Sequence, residues 1–542
     1  MIRSKTLRGV LGAAAVLVTS TACGDLEVTN PNNPGVDKVL ATAGDVESLA
    51  LGSWSSYWWT HTYMEGTMAM AVTADVLTAN FGNFGMRFNN TEPRIPYDNN
   101  SAGGDRAVTE EQWDGMYSAV GAANDALYAT IHLGIEQPTE DQAKSVEWIS
   151  RLTQASVYSQ LALIFDQAFI VNEDTVKTLS ESPGTFDIAL HPHGVVRDYA
   201  MSLWDDIIAE TSTATWNVVQ PDLVMGLHES SGSLTPAYLN KVANTMAART
   251  LAYDARSGAE TAAVDWNRVL NYATNGVTDI TGAGPGIMLE YGPNWASYTN
   301  LYGNLLSWLR VDHRIINMMA PNIPATFTDH ADPNSPDRQL GISDDARYGT
   351  DIKFIPATVG GVPQSYGAVI GDPLRGIYMM STHYHARWEN ISFNVNTDVR
   401  NGNPIPFVLP AENNLLIAEA LIRTGGDLGI AADLINLTRV DRGGLAPATA
   451  GDGAAQLLDY LLYERYIELM NTGSTEWLDA RRFDDIQDGT WRSLPLPAKE
   501  LETLGLPIYT FGGVGLPATK IGRPAYTATF LGGTPRLATP IR

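Results

Sequence analysis

One cysteine, Cys23, stands in 542 residues. A lone thiol excludes a disulfide framework and a thiolate zinc site, so stability must come from packing and polar contacts. Basic residues are scarce, with 35 Lys plus Arg against 60 Asp plus Glu and a formal net charge of −25. Such a chain repels phosphate backbones and anionic headgroups, which argues against nucleic acid as a partner and against basic adsorption to lipid. After residue 22 no segment reaches the roughly 18 to 20 uninterrupted apolar residues that a membrane-spanning helix needs. Enzyme signatures are missing too. There is no Gly-x-Ser-x-Gly, no Gly-x-x-x-x-Gly-Lys and no His-Glu-x-x-His, so the nucleophile elbow, the phosphate loop and the zincin helix are all excluded. The Gly-Ala-Gly-Pro-Gly run at 282–286 follows no strand and reads as a loop. Adjacent acids such as Asp344-Asp345 and Asp484-Asp485 mean little in a chain this acidic. Nothing in the sequence calls for a cofactor or a catalytic residue.

What is present begins at the N-terminus. Residues 1–8 carry Arg3, Lys5 and Arg8 and no acid, residues 9–18 are apolar, and small residues run from Thr19 to Ala22. This is the layout of an export signal over 1–22. The tetrad Ser20-Thr21-Ala22-Cys23 resembles the lipobox of bacterial lipoproteins, although those usually have Leu where this chain has Ser20. The resemblance implies lipidation at Cys23, with attachment to the membrane by acyl chains. Residues 23–36, with Pro31 and Pro34, read as a tether.

Hydrophobic content of 44% supports a large core. Apolar residues recur at three- and four-residue steps through the first half, predicting helices over 43–59, 109–131, 140–167, 197–211, 236–256 and 265–275. Trp113, Met116, Tyr117, Val120 and Leu127 mark the buried face of the second, and Thr109 with Gln112 reads as its capping box. Paired helices packed through small residues and aromatics suggest tetratricopeptide-like stacking, without a clean 34-residue repeat. Residues 276–408 change character, being rich in Gly, Pro, Asn and Tyr, and predict long loops, short strands and a helix at 305–319. Helices return at 411–424, 428–439, 453–471 and 475–483, and the tail from Leu494 reads as irregular. The expected architecture is mainly α, a tetratricopeptide-like scaffold of helical pairs with a long loop-rich insertion. The body divides into 37–275, 276–408 and 409–542.

The C-terminal third carries a specific likeness. Ala418-Glu419-Ala420 is followed by Leu434-Ile435-Asn436, Arg439 and Gly443. Then come Glu464-Arg465, Glu468-Leu469, Trp477-x-Asp479, Arg482 and Pro495-x-Pro497-x-x-Glu500. This pattern resembles the SusD/RagB family of outer-membrane nutrient-binding lipoproteins. One departure is Glu476, where the family pattern has Arg, which implies a rewired ion-pair network. On their own residues, these motifs read as structural. Arg465 can pair with Glu468 or with the acidic 475–485 segment, and Asp479 with Arg481 and Arg482 forms an ion-pair cluster.

The resemblance implies a surface-facing outer-membrane lipoprotein. It would capture an oligosaccharide or similar nutrient and pass it to a SusC-like TonB-dependent transporter. It also implies a pocket formed by loops at the end of the first helical region and in the irregular middle. Aromatics crowd these places, and their flat faces suit sugar rings while Asn and Asp bond hydroxyls. The candidates are Trp58, Trp59, Asp75, Asn80, Phe81, Phe84, Trp295 and Tyr298. Asp75 falls where the family often has an acid near its pocket. Trp54 and Trp58, at i and i+4, also fit a core face. Two His-x-His pairs, His191/His193 and His383/His385, lack an obvious third metal ligand, the second reading as a strand. Competing readings are a protein-interaction scaffold, with the aromatics as core, and a secreted glycan hydrolase.

Overall fold

Thr42 starts the first helix: its side chain accepts from the Asp45 N–H, and the Asp45 carboxylate accepts from the Thr42 N–H. This reciprocal cap satisfies two backbone donors that the helix leaves free. The structure is a computed structural model. It describes residues 42–62, 64–79, 85, 89, 93–181, 188–219, 235–278, 287–289, 309–326, 336, 339–355, 358–359, 362–363, 381–388, 405–472, 475–516 and 521–522. The signal segment, Cys23 and the tether lie outside these residues, as do Asn80, Phe81, Phe84, Trp295 and Tyr298.

Helix α1 (Ala43–His61) leads to α2 (Met64–Thr73), strand β1 (Leu77–Thr78), α3 (Ala107–Ile131), α4 (Glu140–Ile164), β2 (Gln167–Phe169), α5 (Glu173–Glu181), β3 (Leu190–Pro192), α6 (His193–Thr211), α7 (Pro236–Tyr253), α8 (Gly258–Ala262) and α9 (Trp266–Asn275). The middle holds β4 (Ile287–Leu289), β5 (Arg310–Val311), α10 (His313–Met319), β6 (Ile352–Phe354), β7 (Thr358–Val359), β8 (Val362–Pro363), β9 (His383–His385) and β10 (Ile405–Val408). The last third holds α11 (Pro410–Thr424), α12 (Leu428–Arg439), α13 (Gly453–Glu468), α14 (Thr475–Arg482), α15 (Ala498–Thr503), β11 (Tyr509–Thr510) and β12 (Ile521–Gly522). The chain is mainly helical, as the periodicity predicts.

Long helices pack on their sequence neighbours in succession: α1 on α3, α3 on α4, α4 on α6, α6 on α7, α7 on α9, α9 on α11, and α11 on α12 and α13. This is stacking of helical pairs. Caps fix the starts. The Thr139, Thr235 and Asp265 side chains accept from the N–H groups of Gln142, Tyr238 and Arg268, and Pro236 takes the first turn of α7. Gly115 allows α3 to press on α1, since a Cβ there would lie 2.1 Å from Thr60 Oγ1. The strands form six antiparallel pairs among the described residues: β1–β5, β2–β3, β4–β10, β6–β9, β7–β8 and β11–β12.

Several boundaries differ from expectation. Helix α3 begins at Ala107, and Thr109 is not its cap. The Thr109 hydroxyl donates to the Arg106 carbonyl within the first turn. Of the expected 305–319 helix, the described residues are helical over His313–Met319, because Arg310 and Val311 pair with β1 and Asp312 caps the helix at the Arg314 N–H; residues 305–308 lie outside the described residues. His191 belongs to β3, and His193 opens α6. The described residues of the tail include α15, β11 and β12, and α5 and α8 have no counterpart in the periodic reading.

The C-terminal motifs form a buried ionic frame. Arg482 grips Glu419 through Nη1 and Nη2 at 2.6 and 2.8 Å. Its Nε donates to Asp479, whose other oxygen accepts from Arg465 Nε, both at 2.9 Å. Arg465 thus pairs with the acidic segment rather than with Glu468. Glu464 and Glu468, one turn apart on α13, reach into the loop-rich middle, where Glu464 takes Arg347 and Glu468 takes Arg387; Glu468 also takes Arg442, just after α12. Gly443 is required beside Arg347, since a Cβ there would lie 2.7 Å from the Arg439 carbonyl and 3.0 Å from Arg347 Nη2.

Candidate functional site

Helix spacing puts Trp54, Trp58 and His61 on one face of α1, and that face is inside the protein. Trp54 and Trp58 are each 1% exposed. Phe407 of β10 meets Trp54, Trp58 and His61 edge-on, with ring centroids 6.5, 5.3 and 5.3 Å apart. Trp58 therefore packs as core in this structure and presents no face to a ligand, the outcome its i, i+4 spacing with Trp54 allows. Trp59 lies on a different face of α1 and is half-buried. His61 is held neutral: burial, with the Arg249 charge, lowers its pKa to about 3.

Asp75 follows α2 in a left-handed conformation, φ +54°, which Asp tolerates better than most residues. Its carboxylate is buried and ion-paired with Arg94. Arg94 also donates from Nε to Thr490 Oγ1 at 3.1 Å and from Nη1 to the Asn89 carbonyl at 2.7 Å. Arg314 crosses from the middle, donating to the Ala74 carbonyl at 3.0 Å and to Asp485 at 2.7 Å. Desolvation and the neighbouring Asp75 charge hold the Asp312 carboxyl well above the usual range. Asp75 thus has a bonding role, tying the end of α2 to the middle and to the C-terminal third.

The same knot lies at the root of the candidate loops. Strand β1 ends at Thr78, just before Asn80, Phe81 and Phe84, and β5 begins twelve positions after Tyr298. Leu77 pairs with Val311 and Thr78 with Arg310, and the Asp312 N–H donates to the Val76 carbonyl at 3.0 Å. Residues 77–78, which precede the first candidate segment, and 310–311, which follow the second, are therefore adjacent. Arg94 and Arg314 went unmarked by the sequence reading. The available signal was Pro93-Arg94-Ile95-Pro96, a cation held between two residues of fixed φ.

The histidine pairs are used singly. His383 Nε2 lies 2.7 Å from the Tyr348 hydroxyl, and His385 Nδ1 lies 3.1 Å from Asn471 Nδ2. Burial lowers both to about 3, assisted by His313 and Arg310 at His383 and by Arg387 at His385. His193 bonds Asp254 at 2.9 Å while His191 sits in the β2–β3 pair. Among the described residues no three His, Cys, Asp or Glu side chains group to hold a metal. No described helix is long and apolar enough to cross a membrane.

At the sequence level, no protein-family model and no curated protein matches the chain. Solved structures do match. A SusD superfamily protein from Bacteroides vulgatus aligns with a TM-score of 0.55 at 16% identity, covering 86% of this chain and 97% of its own. A SusD-like protein from Bacteroides fragilis aligns at 0.57 and 13%, covering 86% and 96%. Surface glycan-binding protein A from Bacteroides uniformis aligns at 0.53 and 15%, covering 82% and 88%. With the stacked helical pairs, the loop-rich middle and the ionic frame of the last third, these alignments show that the chain has the SusD-like fold.

Proposed function

We propose that this protein is a SusD-type nutrient-binding lipoprotein that captures an oligosaccharide and passes it to a SusC-like TonB-dependent transporter. The observation that carries the reading is the β1–β5 pairing within this fold. It brings Thr78, just before Asn80, beside Arg310, twelve positions after Tyr298, which supports a reading in which aromatics of both segments converge on one ligand. Asn80, Phe81, Phe84, Trp295 and Tyr298, with Trp59 at the margin, are the proposed contacts. The rings would stack on sugar faces and the amide would bond hydroxyls. The work is binding and release, with no bond broken and no cofactor. Residues 1–22 direct export, Cys23 carries the lipid, 23–36 space the body from the outer membrane, and 37–542 form the binding body facing outward. The solved neighbour described as a surface glycan-binding protein supports the ligand class.

The test is a pull-down of the C-terminally tagged protein from gently solubilised outer membranes, read by mass spectrometry. A TonB-dependent barrel at equal stoichiometry is the expected result. Intact, membrane-bound protein with no barrel would overturn the delivery role and favour the scaffold reading.

A further inference from the structure

A cleft of about 420 Å³ opens between the 256–260 turn, the 486–493 segment and residues 511–516, within the roughly 300–1,000 Å³ of small-ligand sites. Among the described residues, its lining holds none of the candidate contacts. One wall is bare backbone. Gly489 and Gly512 have φ of +80° and +86°, the Gly513 N–H donates to the Gly489 carbonyl at 2.7 Å, and a Cβ on Gly489 would lie 2.5 Å from the Val514 nitrogen. Glycine is required there because the two backbone segments touch.

The charges of the wall are matched. Arg256 is buried and fully committed: Nε to Ser493 Oγ at 3.0 Å, Nη1 to Asp254, and Nη2 to the carbonyls of Ala162 and Phe165 at 2.6 and 3.0 Å. Arg492 spends Nη1 on Asp484 at 2.6 Å and on the Arg256 carbonyl at 2.7 Å. Its Nε and Nη2 bond no other described residue. The hydroxyls of Ser257, Thr490 and Ser493 each accept one hydrogen bond, from Glu260 N, Arg94 Nε and Arg256 Nε, which leaves each a proton to donate. Glu260 and Asp488 are exposed acceptors. Donors and acceptors therefore share the lining with Ile486, Trp491, Phe511 and Leu516, with no excess of positive charge. An anion would face two carboxylates, and an apolar guest would leave the ring of polar groups unmatched. A neutral molecule with hydroxyls on every side satisfies both.

We propose that this cleft is a second saccharide site that takes one neutral sugar unit. It stands on its own lining, and its test separates it from the loop site. Full-length protein is titrated calorimetrically with glucose, galactose and N-acetylglucosamine, and with glycylglycine as the zwitterionic probe. Wild type is compared with Asp488→Ala, with Leu516→Trp at the exposed mouth, and with Phe81→Ala in the loop. The expected result is binding of at least one sugar that weakens about tenfold or more in both cleft variants, the scale of losing a hydrogen bond to a charged group. A sugar-binding component should also survive Phe81→Ala, and melting temperatures should be unchanged. Sugar binding that only Phe81→Ala abolishes would overturn the cleft site and leave the loop site standing. Binding of glycylglycine alone, or of no probe, would overturn the ligand class.

Discussion

Glu476 occupies the position where the family pattern has arginine, and it is buried without a cation. No ion pair joins it to another described residue, and its Oε1 accepts only from the Asn471 N–H at 2.7 Å. Burial raises its pKa to about 7, with Asp479 and Glu412 adding repulsion against two backbone hydrogen bonds. The folded state therefore holds a proton that the unfolded chain releases near pH 4.5, so this residue costs stability as pH rises from about 4.5 to 7. Glu476→Gln keeps the acceptor and removes the cost. It should stabilise the protein at pH 8 by up to about 3 kcal/mol and change little at pH 5, as read by urea denaturation at both values. Equal effects at both pH values would refute the assignment. Glu419 is the opposite case. Burial would raise it, but Arg482 and Arg423 outweigh burial and hold it at about 2, so its contribution is present above about pH 4.5 and fades as pH falls toward 2. Arg482→Ala would leave Glu419 with Arg423 alone and Asp479 with Arg465 alone, each buried and one cation short, and should cost about 3 kcal/mol. A loss below about 1 kcal/mol in denaturant midpoints would show that the frame is not cooperative.

At the scale of elements, the helices were legible because their apolar residues keep helical period over many turns. Helix α12 runs Leu428–Arg439 and α7 starts at Pro236, both as read from the sequence. Ends were harder, because a cap depends on where the preceding turn leaves the chain. At Thr109 the Arg106 turn had already begun the helix two residues earlier. Short helices such as α8, five residues long, carry too few positions to show a period. Strand β5 was hidden because two paired residues leave no alternation, and the knot it serves depends on partners scattered from Asp75 to Thr490. Trp58 shows how local pattern divides core from pocket: spacing with Trp54 gives it a buried face, whereas Phe81 and Phe84 sit among glycines and asparagines. The two kinds of aromatic should separate experimentally. Trp58→Ala should cost about 3–5 kcal/mol of stability. Phe81→Ala should leave the melting temperature unchanged while weakening oligosaccharide binding in calorimetry. If Phe81→Ala destabilises as much as Trp58→Ala and spares binding, the loop aromatics are core.

For the whole molecule, the acidity and the lone cysteine point the same way. With a net charge of −25, the body has little electrostatic attraction for anionic lipid, so in the proposed function membrane attachment falls to Cys23. Cys23→Ala should release the protein from membranes with an unchanged circular dichroism spectrum. Retention through high-salt washing would count against the anchor. The folded body also imposes an order on its own assembly. Asn99 donates to the carbonyls of Leu496 and Tyr509, and Thr510 donates to the Tyr97 carbonyl across 413 positions of chain. Arg94 reaches Thr490 across 396. Contacts this distant in sequence slow folding, because a long loop must close before they form. A ribosome making this chain finishes α1 and α2 long before it makes the segment that seals them. The seal at Tyr97 cannot close before Thr510 has left the ribosome, so α1 and α2 wait unlatched while the four hundred or so residues between are made.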